Sequence, residues 1–292
     1  MEKQVTTRPG SRPEQLGKLG FGGAVIGLSN YTGLYDANAD DSRAEAIAAV
    51  RRAAALGINY FDTAPGYGGG LSESLIGEAL ETVKTPVFVA TKVSLDAPRG
   101  LRASIEDSLG RLRRDSVHLI QLHGSSYTRE EVAEILRPGG VADQLDSMRS
   151  EGLFEEIGFT TEDNNAAVYA LIESGRFDAI QMAYNLLLQH PYEPTRPFGS
   201  LFEAKKRKMR TITMRTVTSG IFQRWVQMVN PDNTFDYTPA LLQFVLSNRL
   251  VDIALVGMRT KAIVESSVKA WRNEAARIDV DALWERYEHP GS

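Results

Sequence analysis

Four side chains able to hold and pass protons stand at intervals along the first half of the chain: Asp62, Tyr67, Lys92 and His123. Asp62 closes the apolar run Ile58-Asn-Tyr-Phe61, and Tyr67 follows it in a glycine-rich loop that continues to Gly70. Lys92 ends Val-Phe-Val-Ala-Thr-Lys, and His123 ends Val-His-Leu-Ile-Gln-Leu-His. Singly, each has a structural reading: a strand-end Asp caps a helix or anchors a loop, and strand-end Lys and His are common. A carboxylate, a phenol, an ammonium and an imidazole on consecutive strand ends together make one acid–base site, provided those strands are neighbours.

The surrounding elements supply that condition. Short, continuous runs of β-formers suit strands buried on both faces of a parallel sheet, where functional residues lie just past the strands' carboxyl ends. After a first strand near Phe21, strands are expected at Ile58–Phe61, Val87–Lys92, Val117–His123, Phe154–Phe159, Ala179–Ala183, Thr211–Met214 and Ile253–Val256. Helices alternate with them at Leu101–Leu112, Val141–Glu151, Asn164–Ser174, Ser200–Arg207, Pro239–Ser247 and Lys261–Trp271. Two earlier helices are expected as well, one opened by a Ser42/Glu45 capping box and stopped at Gly57, the other capped by Ser72. A long loop carrying Tyr31 and Tyr35 spans Val25 to Asp41. Eight strand–helix units are the rhythm of an α/β fold of the (β/α)8 TIM-barrel class. The runner-up, a doubly wound open sheet, lacks its phosphate-binding glycine fingerprint, because the long loop follows Gly22 and Gly23. Neighbouring strands lie about 4.8 Å apart, so the ends bearing Asp62, Lys92 and His123 can meet around one point with Tyr67 folded over them. Gly22 and Gly23 either let backbone approach a ligand there or make a simple turn.

Composition limits the alternatives. The 292 residues, 42% of them hydrophobic, are enough for one barrel domain, taken as residues 1–292. The 33 basic and 37 acidic residues are interspersed, so there is no basic stripe for nucleic acid. No apolar run approaches the roughly 18 to 20 residues of a membrane span, and the polar start from Met1 to Glu14 lacks a signal peptide's apolar centre. With no cysteine there is no disulfide, thiolate nucleophile or cysteine-held metal. A cytoplasmic protein with neither membrane nor nucleic acid as partner and no metal site is expected.

The order of these residues resembles the aldo-keto reductases. The matching motifs are Phe61-Asp-Thr-Ala64 with Tyr67-Gly68, Ala90-Thr-Lys92, Gln121-Leu-His123, Ile157-Gly-Phe-Thr160, and Gln181 with Tyr184-Asn-Leu-Leu187. The run Tyr67-Gly-Gly-Gly-Leu-Ser-Glu-Ser74 is similar to the branch that contains bacterial and plant aldose 1-dehydrogenases. The resemblance implies an oxidoreductase that interconverts a carbonyl (aldehyde, ketone or sugar) and an alcohol with NADPH, NADH being possible. Tyr67 is then the proton donor; Lys92 lowers the phenol's pKa; Asp62 keeps Lys92 charged and oriented; and His123 orients the substrate oxygen.

For the cofactor, the resemblance implies Gln181 and Thr160 at the nicotinamide carboxamide, where the usual Ser-Asn pair reads Thr160-Thr161, and Met214 in place of a stacking aromatic. Arg215 points to the pyrophosphate or is a solvated strand-end arginine. Gly257, Arg259 and Lys261 lead from the last strand into a helix start, which favours an adenosine 2′-phosphate. Against this, Ile263 stands where many relatives carry an arginine, and Ser267 where an asparagine is common. The aromatic residues Tyr31, Tyr35, Tyr127, Tyr192, Phe198, Trp225, Phe235 and Tyr237 lie in segments after strands, forming a wall suited to a sugar or small hydroxylated carbonyl compound, or packing the loops. Two other classes stay open: a nicotinamide-binding regulatory subunit with vestigial turnover, and a Schiff-base aldolase using Lys92.

Overall fold

Among the described residues, eight parallel strands pair each with the next in sequence and the first with the last, closing a barrel. The computed structural model describes residues 12–288. Most of the polar opening segment and both ends of the expected 1–292 domain therefore lie outside the described residues. The strands are β1 (Leu19–Gly22), β2 (Tyr60–Asp62), β3 (Phe88–Val93), β4 (Val117–Leu122), β5 (Phe154–Thr161), β6 (Ala179–Ala183), β7 (Arg210–Met214) and β8 (Ile253–Gly257). The helices are α1 (Ala24–Gly27), α2 (Asp40–Ala55), α3 (Leu71–Leu80), α4 (Gly100–Leu112), α5 (Arg129–Leu136), α6 (Val141–Ser150), α7 (Ala166–Glu173), α8 (Ser200–Lys206), α9 (Ile221–Val229), α10 (Thr238–Ser247), α11 (Lys261–Arg272) and α12 (Val280–Glu288).

The TIM-barrel expectation is therefore met, with shifts at element ends. His123 stands one residue past β4, and β5 runs two residues beyond the expected Phe159. The capping box at Ser42 is not used: α2 begins at Asp40 behind Ala39, and Asp40 and Asp41 in its first turn meet the helix dipole instead. Ser72 does not cap α3 either. It lies inside the helix, where its hydroxyl donates to Gly23 O at 2.9 Å and accepts from Thr63 Oγ1 at 2.8 Å. The loop expected from Val25 holds one helical turn, α1. Helices α5, α9 and α12 add to the expected set; α9 buries none of its residues.

Strand alternation divides the core. Tyr60, Phe88, Ala90, Leu119, Ala179, Ile212, Ile253 and Leu255 fill the barrel, while Phe21, Phe61, Val89 and Ile120 face the helix layer. The lower mouth is closed by charge over an aromatic ring. Glu156 pairs with Arg12 at 2.6 Å and Arg210 at 3.0 Å, and both guanidiniums lie over Phe88.

Helix α3 is tied to the barrel by a charge that the sequence reading left without a role. Glu73 is fully buried, accepting from Thr91 Oγ1 of β3 at 2.5 Å and from Arg111 Nε of α4 at 2.6 Å. Removing Arg111 leaves that carboxylate buried without its cation, a change that costs about 3 kcal/mol or more. Arg111→Met should lower urea-denaturation stability by about that much. Adding Glu73→Leu should recover part of it, because the orphaned charge is then gone. A double variant as unstable as the sum of the singles would mean that the two residues stabilise separately.

Candidate active site

The strand ends bring Asp62, Lys92, Tyr67 and His123 to the base of one cavity of about 520 Å³. In the sheet register Asp62 lies beside Gly22 and Ala90, and Lys92 beside Gln121. Lys92 is 1% exposed, and its Nζ donates to Asp62 Oδ1 at 2.8 Å, Asp62 Oδ2 at 2.7 Å and the Thr63 carbonyl at 2.7 Å. Burial is the strongest single influence and works against the ammonium, but Asp62 and Tyr67 together, through charge and hydrogen bonds, outweigh it and Lys92 is pushed up, so it stays protonated. Burial pushes Asp62 up, with Lys92 and its hydrogen bonds acting against that rise.

Tyr67 reaches this pair because the chain reverses at Gly68, Gly69 and Gly70, all at positive φ. A Cβ on Gly68 would lie 2.1 Å from the Gly27 carbonyl oxygen, so no other residue fits there. The Tyr67 ring lies 4.9 Å from Lys92 Nζ and edge-on to His123. Here the expected order of effects is reversed: burial raises the phenol's pKa, and Lys92 only moderates the rise. Tyr67 therefore keeps its proton at neutral pH. His123 is pushed down to about 4, by burial first and by Lys92 second, so it is a neutral imidazole.

The cofactor candidates divide. Gly22, Thr160, Gln181, Met214, Arg215 and Gly257 line the cavity. Gly23 does not: its missing side chain makes room for Ser72 Oγ and the Asp62 carbonyl, which a Cβ would meet at 2.5 and 2.7 Å. The hydroxyl of Thr160 donates to Gly124 O at 2.6 Å and accepts from Gly124 N at 3.0 Å, holding the loop after β4. Arg215, at φ 56°, pairs with Glu162 at 2.6 Å. Arg259 and Lys261 stand outside the cavity lining; Arg259 lies over the Tyr35 ring and Lys261 is the exposed first residue of α11.

Of the expected aromatic wall, Tyr31 lines the cavity. Tyr127 packs edge-on to Phe159, and Tyr192 stacks on Phe202 with its hydroxyl on Asp281, so both are core residues. Trp225 and Phe235 are exposed. The lining that sequence reasoning missed pairs polar Thr32, Ser125, Glu162, Ser219, Gln223 and Thr238 with apolar Val25, Leu28, Val217 and Leu255. Glu162 follows directly on β5, and a longer reading of that strand would have placed it at the rim.

The aldo/keto reductase family model matches residues 18–237. The chain is 27% identical to L-galactose dehydrogenase of Arabidopsis thaliana over an alignment that covers 91% of this chain and 88% of that protein. It is 32% identical to D-threo-aldose 1-dehydrogenase of a Pseudomonas species over 59% of this chain and 58% of that protein. An aldo-keto reductase of Klebsiella pneumoniae, crystallised with NADPH, superposes with a TM-score of 0.69 at 16% identity, covering 95% of this chain and 92% of that one.

A neutral His123 makes folding sensitive to acid. The unfolded chain takes up a proton near pH 6.5 that the folded imidazole refuses until about pH 4. Stability from this group is thus complete above pH 6.5 and is lost as pH falls towards 4, by up to roughly 3 kcal/mol. Denaturation from pH 7 to 4 should show a steeper loss for the native sequence than for His123→Asn, and the imidazole NMR signals should stay those of the neutral ring down to about pH 4. Titration near 6.5 would remove the neutral imidazole from the site.

Proposed function

Since the chain belongs to the aldo/keto reductase family, we propose that it interconverts a carbonyl compound and its alcohol with a nicotinamide cofactor, NADPH by preference. The observation that carries this reading is the buried Asp62–Lys92 pair beneath a protonated Tyr67 and a neutral His123. As a carbonyl is reduced, its oxygen develops negative charge and needs a proton. Tyr67 holds that proton at neutral pH, and the fixed ammonium of Lys92 stabilises the phenolate left behind. The three hydrogen bonds on Lys92 keep its charge in place without reorganisation. The neutral imidazole of His123 can donate to the substrate oxygen without competing as an acid. The same Lys92 has no free lone pair for a Schiff base, which speaks against the aldolase alternative.

The lining fits a cofactor of this kind. Gln181 turns an amide towards the cavity, the Met214 thioether offers a polarizable wall, and the chain from Arg215 to Gly220 curves round one side with Arg215, Thr218, Ser219 and Gly220 in left-handed backbone. These residues, with Gly22 and Gly257, would hold the cofactor, which when bound supplies the hydride. Arg259 and Lys261 at the start of α11 are the cations nearest in sequence to Gly257 that can meet a 2′-phosphate, and the α11 dipole favours an anion there. The two aldose dehydrogenases among its relatives and the polar rim favour a sugar or small hydroxylated substrate.

Tyr67→Phe should lower carbonyl reduction by at least about 10², with cofactor affinity nearly unchanged. Because the phenol is pushed up, oxidation of the alcohol, which needs the phenolate, should rise with pH well into the alkaline range while reduction should not. The check is nicotinamide absorbance in both directions across pH with a panel of aldehydes, ketones and aldoses. Near-normal turnover by the Phe variant would remove Tyr67 from the chemistry, and binding without turnover in either direction would favour the regulatory-subunit alternative.

NADPH should bind roughly ten- to a hundred-fold more tightly than NADH, the scale of one charge-assisted hydrogen bond. Arg259→Ala and Lys261→Ala should each erode that advantage, as should added salt, with NADH affinity almost constant. Equal titration curves for the two cofactors in the unmutated protein would overturn the phosphate assignment.

A further inference from the structure

Gln121 has no role in the chemistry above, yet its side chain touches both halves of the site. Its Nε2 donates to Asp62 Oδ1 at 3.3 Å and to Gln181 Oε1 at 3.1 Å. The residue is fully buried between Lys92 and Gly158 in the sheet register, and a Cβ on Gly158 would meet its Cγ at 3.2 Å, so Gly158 leaves its stem room. Its own Oε1 is buried without a partner. A buried, half-satisfied amide costs stability relative to an apolar side chain of the same size. Packing alone gives no reason to keep it.

The directions of these bonds are fixed by chemistry. An ionised carboxylate only accepts, so the face of Gln121 turned to Asp62 must be its NH2 group. The second hydrogen of that group goes to Gln181, which must therefore turn its oxygen to Gln121. The NH2 group of Gln181 is then left facing Met214 Sδ, 3.8 Å away, the cavity and the Asp62 carboxylate, whose charged form it also favours directly. Turning Gln121 over would set its oxygen against the carboxylate.

We propose that Gln121 is a positioning residue that passes the ionised state of Asp62 to Gln181, fixing Gln181 as a hydrogen-bond donor towards the cofactor's carboxamide. This rests on the nicotinamide reading above. It makes the cofactor-facing amide answer to the charge of the catalytic pair: while Asp62 is ionised and paired with Lys92, Gln181 presents N–H groups. When Asp62 takes a proton, the constraint on both amides is released.

Three measurements test it: NADPH affinity from the cofactor's fluorescence, urea-denaturation stability, and the pH profile of kcat. Gln121→Met should weaken NADPH roughly tenfold, the loss of one oriented hydrogen bond. Stability should hold or rise, since an unpaired buried oxygen is removed. The acid limb of kcat should move to higher pH, because Asp62 loses a donor to its charged form; the other titratable groups around it are Lys92, Tyr67, His123 and Tyr60. In a double-mutant cycle with Gln181→Met, the affinity losses should be much less than additive. Gln121→Glu keeps the shape and should bind NADPH poorly in alkaline buffer, regaining affinity on acidification, when a protonated Glu can again donate. Unchanged NADPH affinity in Gln121→Met, additive losses in the cycle, or pH-independent binding by Gln121→Glu would each overturn the proposal; a loss of stability alone would make Gln121 merely structural. Failure of the unmutated protein to bind either nicotinamide cofactor would instead remove the functional reading, and this proposal with it.

Discussion

The buried ion pair of Lys92 and Asp62 sets the terms for everything around it. Two charges removed from water lose several kcal/mol of solvation each, and their mutual attraction repays this only where the remaining hydrogen-bonding capacity is met. The barrel meets it: Lys92 Nζ donates to both carboxylate oxygens and to the Thr63 carbonyl and also reaches the Tyr67 hydroxyl, and the carboxylate takes a further bond from Gln121. Neighbouring strands deliver these groups at heights fixed by backbone register, so the arrangement needs no side chain to search for its partner. A pair held this way is a source of field, with little freedom to relax when charge moves nearby.

That field acts on Tyr67 only because a loop can bring a bulky ring over the strand ends. The three left-handed glycines after Tyr67 make the reversal, and α3 fixes where it ends. The same helix is bolted to the barrel by Glu73, which joins Thr91 of β3 to Arg111 of α4. Ser72 ties α3 to β1 through the Gly23 carbonyl, and Gly23 has no side chain to obstruct it. Thus Tyr67, five residues from Asp62 in sequence, is positioned through the contacts of α3 with two strands and a helix.

Strand periodicity and the strand-end residues made the barrel legible, because a continuous apolar run leaves few other placements. The chemical base of the site was legible for the same reason: Asp62, Lys92 and His123 belong to strand ends, whose heights follow from pairing. Local signals were weaker guides. The Ser42/Glu45 spacing satisfies a capping box, but the aspartates before it start the helix earlier. Tyr127 and Tyr192 follow strands as a wall residue would, yet burial against Phe159 and Phe202 draws them into the core. The direction of the Tyr67 shift could not be read from residue types at all, since it depends on how much water the phenol loses set against how close the ammonium comes. Gln121 was visible in its motif, but its two-sided bonding needs the register of β4 against both β3 and β5.

Why the field of Lys92 reaches so far follows from what lies beneath it. The layer below the pair is apolar, built from Tyr60, Phe88, Ala90, Leu119, Ala179 and Ile212, and the lower mouth is sealed by Arg12, Arg210 and Glu156 around Phe88. Among the described residues, water and counterions then approach the pair through the cavity above. In such a setting a single charge is screened weakly, and both groups over Lys92 register it: its charge favours the neutral imidazole and the ionised phenol. The two responses have opposite chemical use. A phenol whose ionisation is eased can part with its proton as an oxygen nearby becomes negative, while an imidazole kept neutral cannot take that role and is left to donate a hydrogen bond. Burial keeps both groups neutral, and the one buried cation adds to that for the imidazole and works against it for the phenol, so the two groups above Lys92 differ in how readily they part with a proton.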